Sequence, residues 1–410
     1  MHTAGHQLHL SHPSIQRAFC VRAGGREHVH WSTEWSPRLL EAVRRRVDGL
    51  SVATAPEYAR AVNFKLRAVA AVLVVIAGCA ETPPAHSPPR GPEPTTGGAA
   101  EPAPPPSMFD LQLKSLQDYV HAFNKHDAAA IAALYAKDAV FVERGELVST
   151  GSASIESNYR GLFDAFPDGS TSIFRSWHKG DLVVFEYVEG GTNTGAHGAQ
   201  KATGKKVGYV GASVLQFNAN GRVKKDTTYY DELTMEAQAG WVQGPLAKLD
   251  VRPVIPVPAA TDAWEVHQST QADVGQPKLV AIRKSLYSSV SLGSEKDFLA
   301  ALSDDVIVAP YDDPADAKGK REAATLFNLW LKTFSEGVNH ADEGWSVDGH
   351  VVLLGTFSGK HIGPWGPLKP TNKPFQSHFL DIARINKEDK VERVWTYANN
   401  FELLKHLGYR

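Results

Sequence analysis

The sequence predicts an α+β chain built around two copies of one domain. Two observations carry that prediction. Residues 191–205 read GTNTGAHGAQKATGK and residues 359–373 read GKHIGPWGPLKPTNK. Gly191, Gly195, Gly198, Lys201, Thr203 and Lys205 thus recur as Gly359, Gly363, Gly366, Lys369, Thr371 and Lys373, at one constant interval (359 − 191 = 168). Around each loop, apolar residues spaced three and four apart give way to strand-like runs, the order of an α+β unit. At 410 residues the chain has room for both copies and for flanking segments.

The flanking segments come first. Residues 1–61 are rich in His and Arg without a period, and are expected to be disordered or not translated. The expected true start is Val62, read from an alternative start codon. In 62–79, Lys65 and Arg67 precede a short apolar run, Ala68 to Ala77. That run is too short to span a bilayer, which takes roughly 20 residues, but it has the form of a secretory signal. Its exit, Ile76-Ala77-Gly78-Cys79, resembles the lipobox of bacterial lipoproteins. The resemblance implies that Cys79 is lipidated and anchors the chain to a membrane. Ala80 at the next position implies sorting to the outer membrane of a Gram-negative bacterium, facing the periplasm. Residues 80–107 are dense in proline and glycine and read as an extended tether.

The first copy, 108–245, opens with Leu116, Tyr119, Val120 and Phe123 on one helical face. Asp127 is an N-cap candidate for a second helix, Ala128 to Ala136, followed by a short strand, AVFVERG. A further helix carries Ile155, Tyr159, Leu162, Phe163 and Phe166, stopped by Pro167. The strand runs DLVVFEYV, VGYVGASVLQF and RVKKDTTYY close the copy. Between the copies, 246–274 contains VRPVIPVPAATDAW, a proline-rich apolar stretch expected to be an ordered strap. In the second copy, 275–410, the helix face becomes Ala323, Phe327, Trp330, Leu331 and Phe334, and the strands become HVVLLGTF, FQSHFLDIARI and KVERVWTY. The loop recurs because it joins the same two long strands twice.

Composition narrows the function. The formal net charge is −2 and no basic stripe with interleaved aromatics is present, so no nucleic-acid partner is expected. The two cysteines, Cys20 and Cys79, precede both copies, leaving them without disulfides or thiolate metal sites. His197 and His361 lie in the repeated loop, out of register and without a partner at ligand spacing. They are expected to face solvent; no metal site and no cofactor is expected. Trp177, Trp345 and Trp365 read as core or pocket wall.

Three local patterns resemble the SnoaL-like polyketide cyclase and ester-cyclase branch of the nuclear transport factor 2-like superfamily. They are Gly151 through Phe166-Pro167-Asp168, the Gly191–Gly195 loop with Thr203-Gly204-Lys205, and the closing stretch 221–240, which returns at 389–408. The resemblance implies two cone-shaped domains, each a curved, mostly antiparallel sheet with helices on its concave face around an apolar pocket. It implies pocket walls at Tyr159, Phe163 and Thr228 in the first copy and Phe327, Trp330 and Thr396 in the second. Relatives often pair through the convex face of the sheet, which implies an internal pseudo-dimer.

In the family, an aspartate on the last long strand moves the proton, within a pattern resembling Glu-His-Trp-Asp. The histidine of that pattern falls on Asp226 and the aspartate on Thr228; in the second copy they fall on Val394 and Thr396. A threonine hydroxyl is no base near pH 7. Strand alternation does put Asp226, Thr228 and Tyr230 on one face, so Asp226 could act as the base with Tyr230 orienting the substrate. The alternative has Asp226 paired with Lys224 or Lys225 in solvent. The equivalent strand face of the second copy, Val394, Thr396 and Ala398, has no titratable group. Asp231 and Asn399 read as N-caps of short helices. Three functions follow: a lipoprotein binding a small apolar molecule, a cyclase or isomerase acting by acid–base proton transfer, and a non-catalytic envelope scaffold.

Overall fold

The computed structural model describes residues 17–23, 26–32, 105–143, 146–269 and 277–409. Within residues 1–98 these form one antiparallel pair, β1 (Arg17–Ala23) and β2 (Arg26–Ser32), in a stretch whose sequence shows no period. The expected signal at 62–79, Cys79 and most of the tether lie outside the described residues.

Beyond the tether, Ser107 opens helix α1 (Met108–Asn124) with a capping box: its hydroxyl accepts from the Asp110 N–H, and Asp110 accepts from the Ser107 N–H. Asp127 caps α2 by accepting from Ala130 N at 2.9 Å. That helix spans only Ala128–Ala132, shorter than the expected run to Ala136, because β3 (Tyr135–Glu143) joins the sheet beside a later strand. Next come β4 (Glu146–Thr150), α3 (Ser152–Ala165), β5 (Ser170–Lys179), β6 (Leu182–Thr192), β7 (Lys206–Phe217), β8 (Val223–Tyr230) and α4 (Glu232–Ala239). The strand β5 is not evident from the sequence. Phe166 lies just past the end of α3 rather than within it.

A 3₁₀ turn at Leu246–Lys248 and strand β9 (Glu265–Gln268) lie between the copies. The second copy then repeats the order: α5 (Pro277–Ser291), α6 (Glu295–Ala300), β10 (Leu302–Pro310), β11 (Ala317–Lys318), α7 (Gly319–Thr333), β12 (Phe334–Val347), β13 (His350–His361), β14 (Pro374–Ile385), β15 (Val391–Ala398) and α8 (Asn400–Leu407). The sheet orders are β4-β3-β8-β7-β6-β5-β9 and β11-β10-β15-β14-β13-β12. Both sheets are curved and open, mostly antiparallel, with β3–β8 and β10–β15 running parallel. The chain is therefore α+β, with two tandem nuclear transport factor 2-like domains.

Each sheet buries both faces, which is why β7 is almost continuously apolar instead of alternating. One face meets its own helices: Leu116, Val120, Phe123, Ile155 and Phe163 pack on Phe185, Val207 and Leu215. The other face meets the second copy. Trp177, Val184, Val210 and Tyr229 share one cluster with Trp345, Val352, Leu380 and Trp395. Within it Glu186, wholly buried, pairs with Arg175 and accepts from the Tyr397 hydroxyl. Burial pushes the Glu186 carboxyl up, and the Arg175 charge opposes the shift.

The caps also cross between copies. Asp231 Oδ2 accepts from Thr234 N at 3.0 Å while its Oδ1 accepts from Asn400 N at 2.9 Å. Asn399 Oδ1 accepts from Phe401 N and, at 3.2 Å, from Glu232 N. The strap is bound to both copies. Ile255 N donates to Gly208 O at 2.9 Å, the Arg252 guanidinium donates to Pro310 O and Asp313 O, and β9 adds a parallel strand to β5.

The repeated loop joins β6 to β7 and β13 to β14. In both copies it is closed by one bridge, His197 to Gln200 and Trp365 to Leu368. Its glycines are there for closeness. A Cβ on Gly195 would stand 1.9 Å from Asp164 O, and one on Gly363 would stand 2.0 Å from Lys332 O. Gly195→Ala is therefore expected to cost about 1–3 kcal/mol through overpacking, read as a lower urea midpoint. His361 does not face solvent as its loop position suggests. It is fully buried and its Nδ1 accepts from Thr371 N, the work that Asn193 Oδ1 does for Thr203 N in the first loop.

Candidate functional site

Lys224 and Lys225 are exposed near the start of β8, between buried Val223 and a buried run that begins at Asp226. Lys224 reaches Asp181 at 3.7 Å rather than Asp226, which is only 3 % exposed. The solvent ion pair considered for Asp226 is thus absent. Asp226, Thr228 and Tyr230 all turn to the helix-covered face, where they line a cavity of about 520 Å³ together with Tyr159 and Phe163.

Asp226 is held but not satisfied. Tyr135, from the first residue of β3, donates to its Oδ2 at 2.6 Å. Its Oδ1 is buried and makes no hydrogen bond of good geometry among the described residues, though the Ser213 hydroxyl lies near enough to act on the carboxyl. Burial pushes the carboxyl up to about 7, against the pull of Tyr135 and Ser213 and helped by the charge of Glu143. A second carboxylate lies further along the same wall. Glu189 on β6 accepts from Tyr209 Oη at 2.7 Å, and burial lifts it to about 7 as well. Tyr230 stacks on Tyr209, ring centroids 5.0 Å apart. Burial pushes Tyr119, Tyr135 and Tyr187 well above the ordinary phenol value, so they stay protonated donors.

Gly211 lets the two ends of this wall communicate. Its missing side chain leaves room for the Tyr187 ring, whose Cζ and Oη would lie 2.4 Å from a Cβ there. The ring of Tyr187 therefore leans from β6 across β7 towards Thr228 on β8, and feels the charge of both Glu189 and Asp226.

The second copy is different. Phe327, Trp330 and Thr396 line a smaller cavity of about 260 Å³. The β15 face, Val394, Thr396 and Ala398, carries no titratable group, but the cavity has carboxylates from elsewhere: Asp312 and Asp313 after β10, and Asp381 on the neighbouring strand. Asp381 on β14 stands where Ser213 stands in the first copy (381 − 213 = 168). The Arg283 guanidinium and the Tyr287 hydroxyl both contact its Oδ2, and Thr396 Oγ1 donates to its Oδ1 at 2.6 Å. Arg283 and Asp381 are both almost fully buried. The carboxylate is therefore paired and fully hydrogen bonded, unlike Asp226.

Sequence reasoning reached Asp226, Thr228 and the aromatic walls but missed Tyr135, Glu189, Arg283 and Asp381. Two of these leave a signal. Glu189 continues the alternating face of Phe185 and Tyr187, and Asp381 interrupts the apolar run FLDIARI. Among the described residues, no three His, Cys, Asp or Glu side chains are grouped to hold a metal ion, and no helix is long and apolar enough to cross a membrane.

A sequence model of the SnoaL-like polyketide cyclase family matches residues 114–239 and 281–407. Among solved structures, the chain is similar to a candidate polyketide cyclase from Xanthomonas campestris pv. campestris (25% identity, TM-score 0.30), covering 32% of this chain and 99% of that one. It is also similar to IdmH, a candidate polyketide cyclase from Streptomyces antibioticus (15%, TM-score 0.29, 32% and 99% covered). A third is an LEH-like epoxide hydrolase from Mycobacterium tuberculosis (14%, TM-score 0.27, 32% and 90% covered). No curated protein matches. With both domains matched in register, the chain belongs to the SnoaL-like polyketide cyclase family and carries its domain twice.

Proposed function

We propose that the first domain is an acid–base catalyst of the cyclase or isomerase type, with Asp226 as the base. The observation that carries this reading is the buried Asp226 carboxylate in a large cavity, one oxygen fixed by Tyr135 and the other without a hydrogen bond of good geometry. A base needs a pKa near working pH and a partly desolvated site. Oδ1 takes the proton from a carbon beside a carbonyl, and the electron pair moves into the enolate oxygen. A tyrosine hydroxyl of the cavity stabilises that oxygen. The enolate carbon then either recovers a proton at another position, an isomerisation, or attacks a second carbonyl and closes a ring. Asp226 thus stands in for the family aspartate two residues earlier on the same strand face. The test is deuterium exchange from solvent into an aryl 1,3-diketone, followed by NMR. The full chain should speed exchange above buffer and Asp226→Asn should not; equal rates for the two proteins would end this reading.

For the second domain a binding role fits better at the sheet wall, because Arg283 neutralises Asp381 there, while Asp312 and Asp313 line the cavity from the turn after β10. We propose that it holds a small apolar molecule, without chemistry, against Phe327 and Trp330. Lipid anchoring at Cys79, with the body facing the periplasm, fits the sequence of 62–107; a lipidated N-terminal peptide in mass spectrometry of the native protein tests it. The shared cluster between the sheets favours an internal pseudo-dimer in solution; scattering from two independently moving bodies would contradict that.

A further inference from the structure

The second cavity has a polar end and an apolar end. Asp312 and Asp313, in the turn after β10, line it near one edge of the sheet, and Asn339 of β12 lines it at the other. The two strands stand four spacings apart in the sheet order, roughly 19 Å at about 4.8 Å each before curvature. The acidic turn is fixed through its backbone. Asn400 Nδ2 donates to Asp312 O at 2.8 Å, and the Arg252 guanidinium donates to Asp313 O and Pro310 O. The two carboxyls accept no hydrogen bond from another side chain among the described residues, and Asp312 Oδ1 is buried. A buried acceptor left in this way costs free energy unless something donates to it. Burial, then the nearby charges of Asp313 and Asp231, push the Asp312 carboxyl well up. Towards the other end the wall is Phe327 and Trp330. The apolar track continues to the surface: Leu329, itself a lining residue, is 58 % exposed, and Val338, beside Asn339, is 52 % exposed.

We propose that the second domain takes a neutral amphiphile, an aliphatic chain ending in a hydroxyl, with its head on the Asp312 carboxyl and its chain laid over Phe327 and Trp330 towards Leu329 and Val338. A hydroxyl both donates and accepts, so it matches this carboxyl whether the carboxyl is protonated or ionised. A carboxylate or phosphate head would meet the charges of Asp313 and Asp231. A cationic head is not called for, because Arg252 already brings a positive charge to the turn, paired with Asp316 at 3.1 Å. The aliphatic chain follows from the exposed apolar exit, which lets a guest longer than the cavity of about 260 Å³ extend along Leu329. This assignment deepens the apolar binding reading of the second domain and rests on it for the occupied cavity; the hydroxyl preference is its own claim.

The test compares 1-octanol with its isomer 1-methoxyheptane, which has no donor, binding to the full chain by ligand-observed NMR. The alcohol is expected to bind about fivefold more tightly. Asp312→Leu is expected to bring that ratio near one without weakening the ether. Asp312→Asn, whose amide still donates and accepts, is expected to keep most of the preference, which separates a lost hydrogen bond from a lost charge. Octylammonium and octanoate are expected to bind more weakly than the alcohol; tighter binding of either overturns the neutral head. A preference unmoved in a folded Asp312→Leu protein overturns the role of Asp312. Equal binding of the two isomers by the unaltered protein overturns this inference. In that case, binding that weakens in Trp330→Ala leaves the apolar reading standing, and binding indifferent to Trp330→Ala removes that reading too. Binding of neither isomer up to its solubility limit overturns both.

Discussion

Asp226→Asn is expected to lower proton-transfer turnover by about 10²–10⁴-fold, the usual contribution of a positioned acid–base group. Asn keeps the size of the side chain and can still accept from Tyr135, so the loss isolates the proton. The pH dependence carries the same signature. With a carboxyl near 7, kcat/KM should rise about tenfold per pH unit below 7 and flatten above it, because only the ionised form accepts the proton. Stability should move the other way. The folded pKa lies above the ordinary carboxylate value of about 4, so between roughly pH 4 and 7 the folded state holds a proton that the unfolded state has released. Stability is therefore greatest below that window and falls as pH rises through it. Above pH 7, Asp226→Asn should be the more stable protein by a few kcal/mol, and the two should converge near pH 4. Glu189 contributes a slope of the same sign, which the variant leaves in place. Urea titrations at pH 5 and pH 8 read both arms. A variant that is inactive but no more stable at pH 8 would mean that Asp226 is not desolvated as described.

Arg283→Met is expected to destabilise the second domain by about 3–5 kcal/mol, the cost of leaving a buried charge without its partner. Asp381 would keep the Tyr287 and Thr396 hydrogen bonds but lose the guanidinium that balances it. Arg283→Met with Asp381→Leu should recover most of the loss, since an apolar pair of similar volume no longer carries a desolvated charge. The double variant should also hold a neutral aromatic probe at least as well as the unaltered protein, if that cavity binds apolar molecules. Denaturant unfolding decides the matter. A single variant within about 1 kcal/mol of the parent would show that the pair is solvated and could serve chemistry after all.

Much of this architecture can be read from the chain. The interval between Gly191 and Gly359 marks the duplication, and the Ile155–Phe163 and Ala323–Trp330 faces give the covering helix twice. Local capping sites were also legible at Asp127, Asp231 and Asn399, because a cap involves only its own turn. Strand pairing with distant residues is not legible in this way: it shortens α2 and adds β5. Nor is the burial of a loop side chain such as His361, which depends on what packs over it.

What the sequence determined by itself was the copy number, the helix faces and the face of β8 that carries Asp226, Thr228 and Tyr230. A period of two assigns a side chain to a face but says nothing of its depth or of what covers it. Both faces of each sheet are buried, one by helices and one by the second copy, so apolar pattern alone could not tell cavity from interface. Only the tertiary structure brought Tyr135 to Asp226 across 91 residues and Arg283 to Asp381 across 98. Those two contacts make the physical difference between the two sheet-wall carboxylates: Asp226 keeps an incompletely satisfied carboxyl, and Asp381 is neutralised.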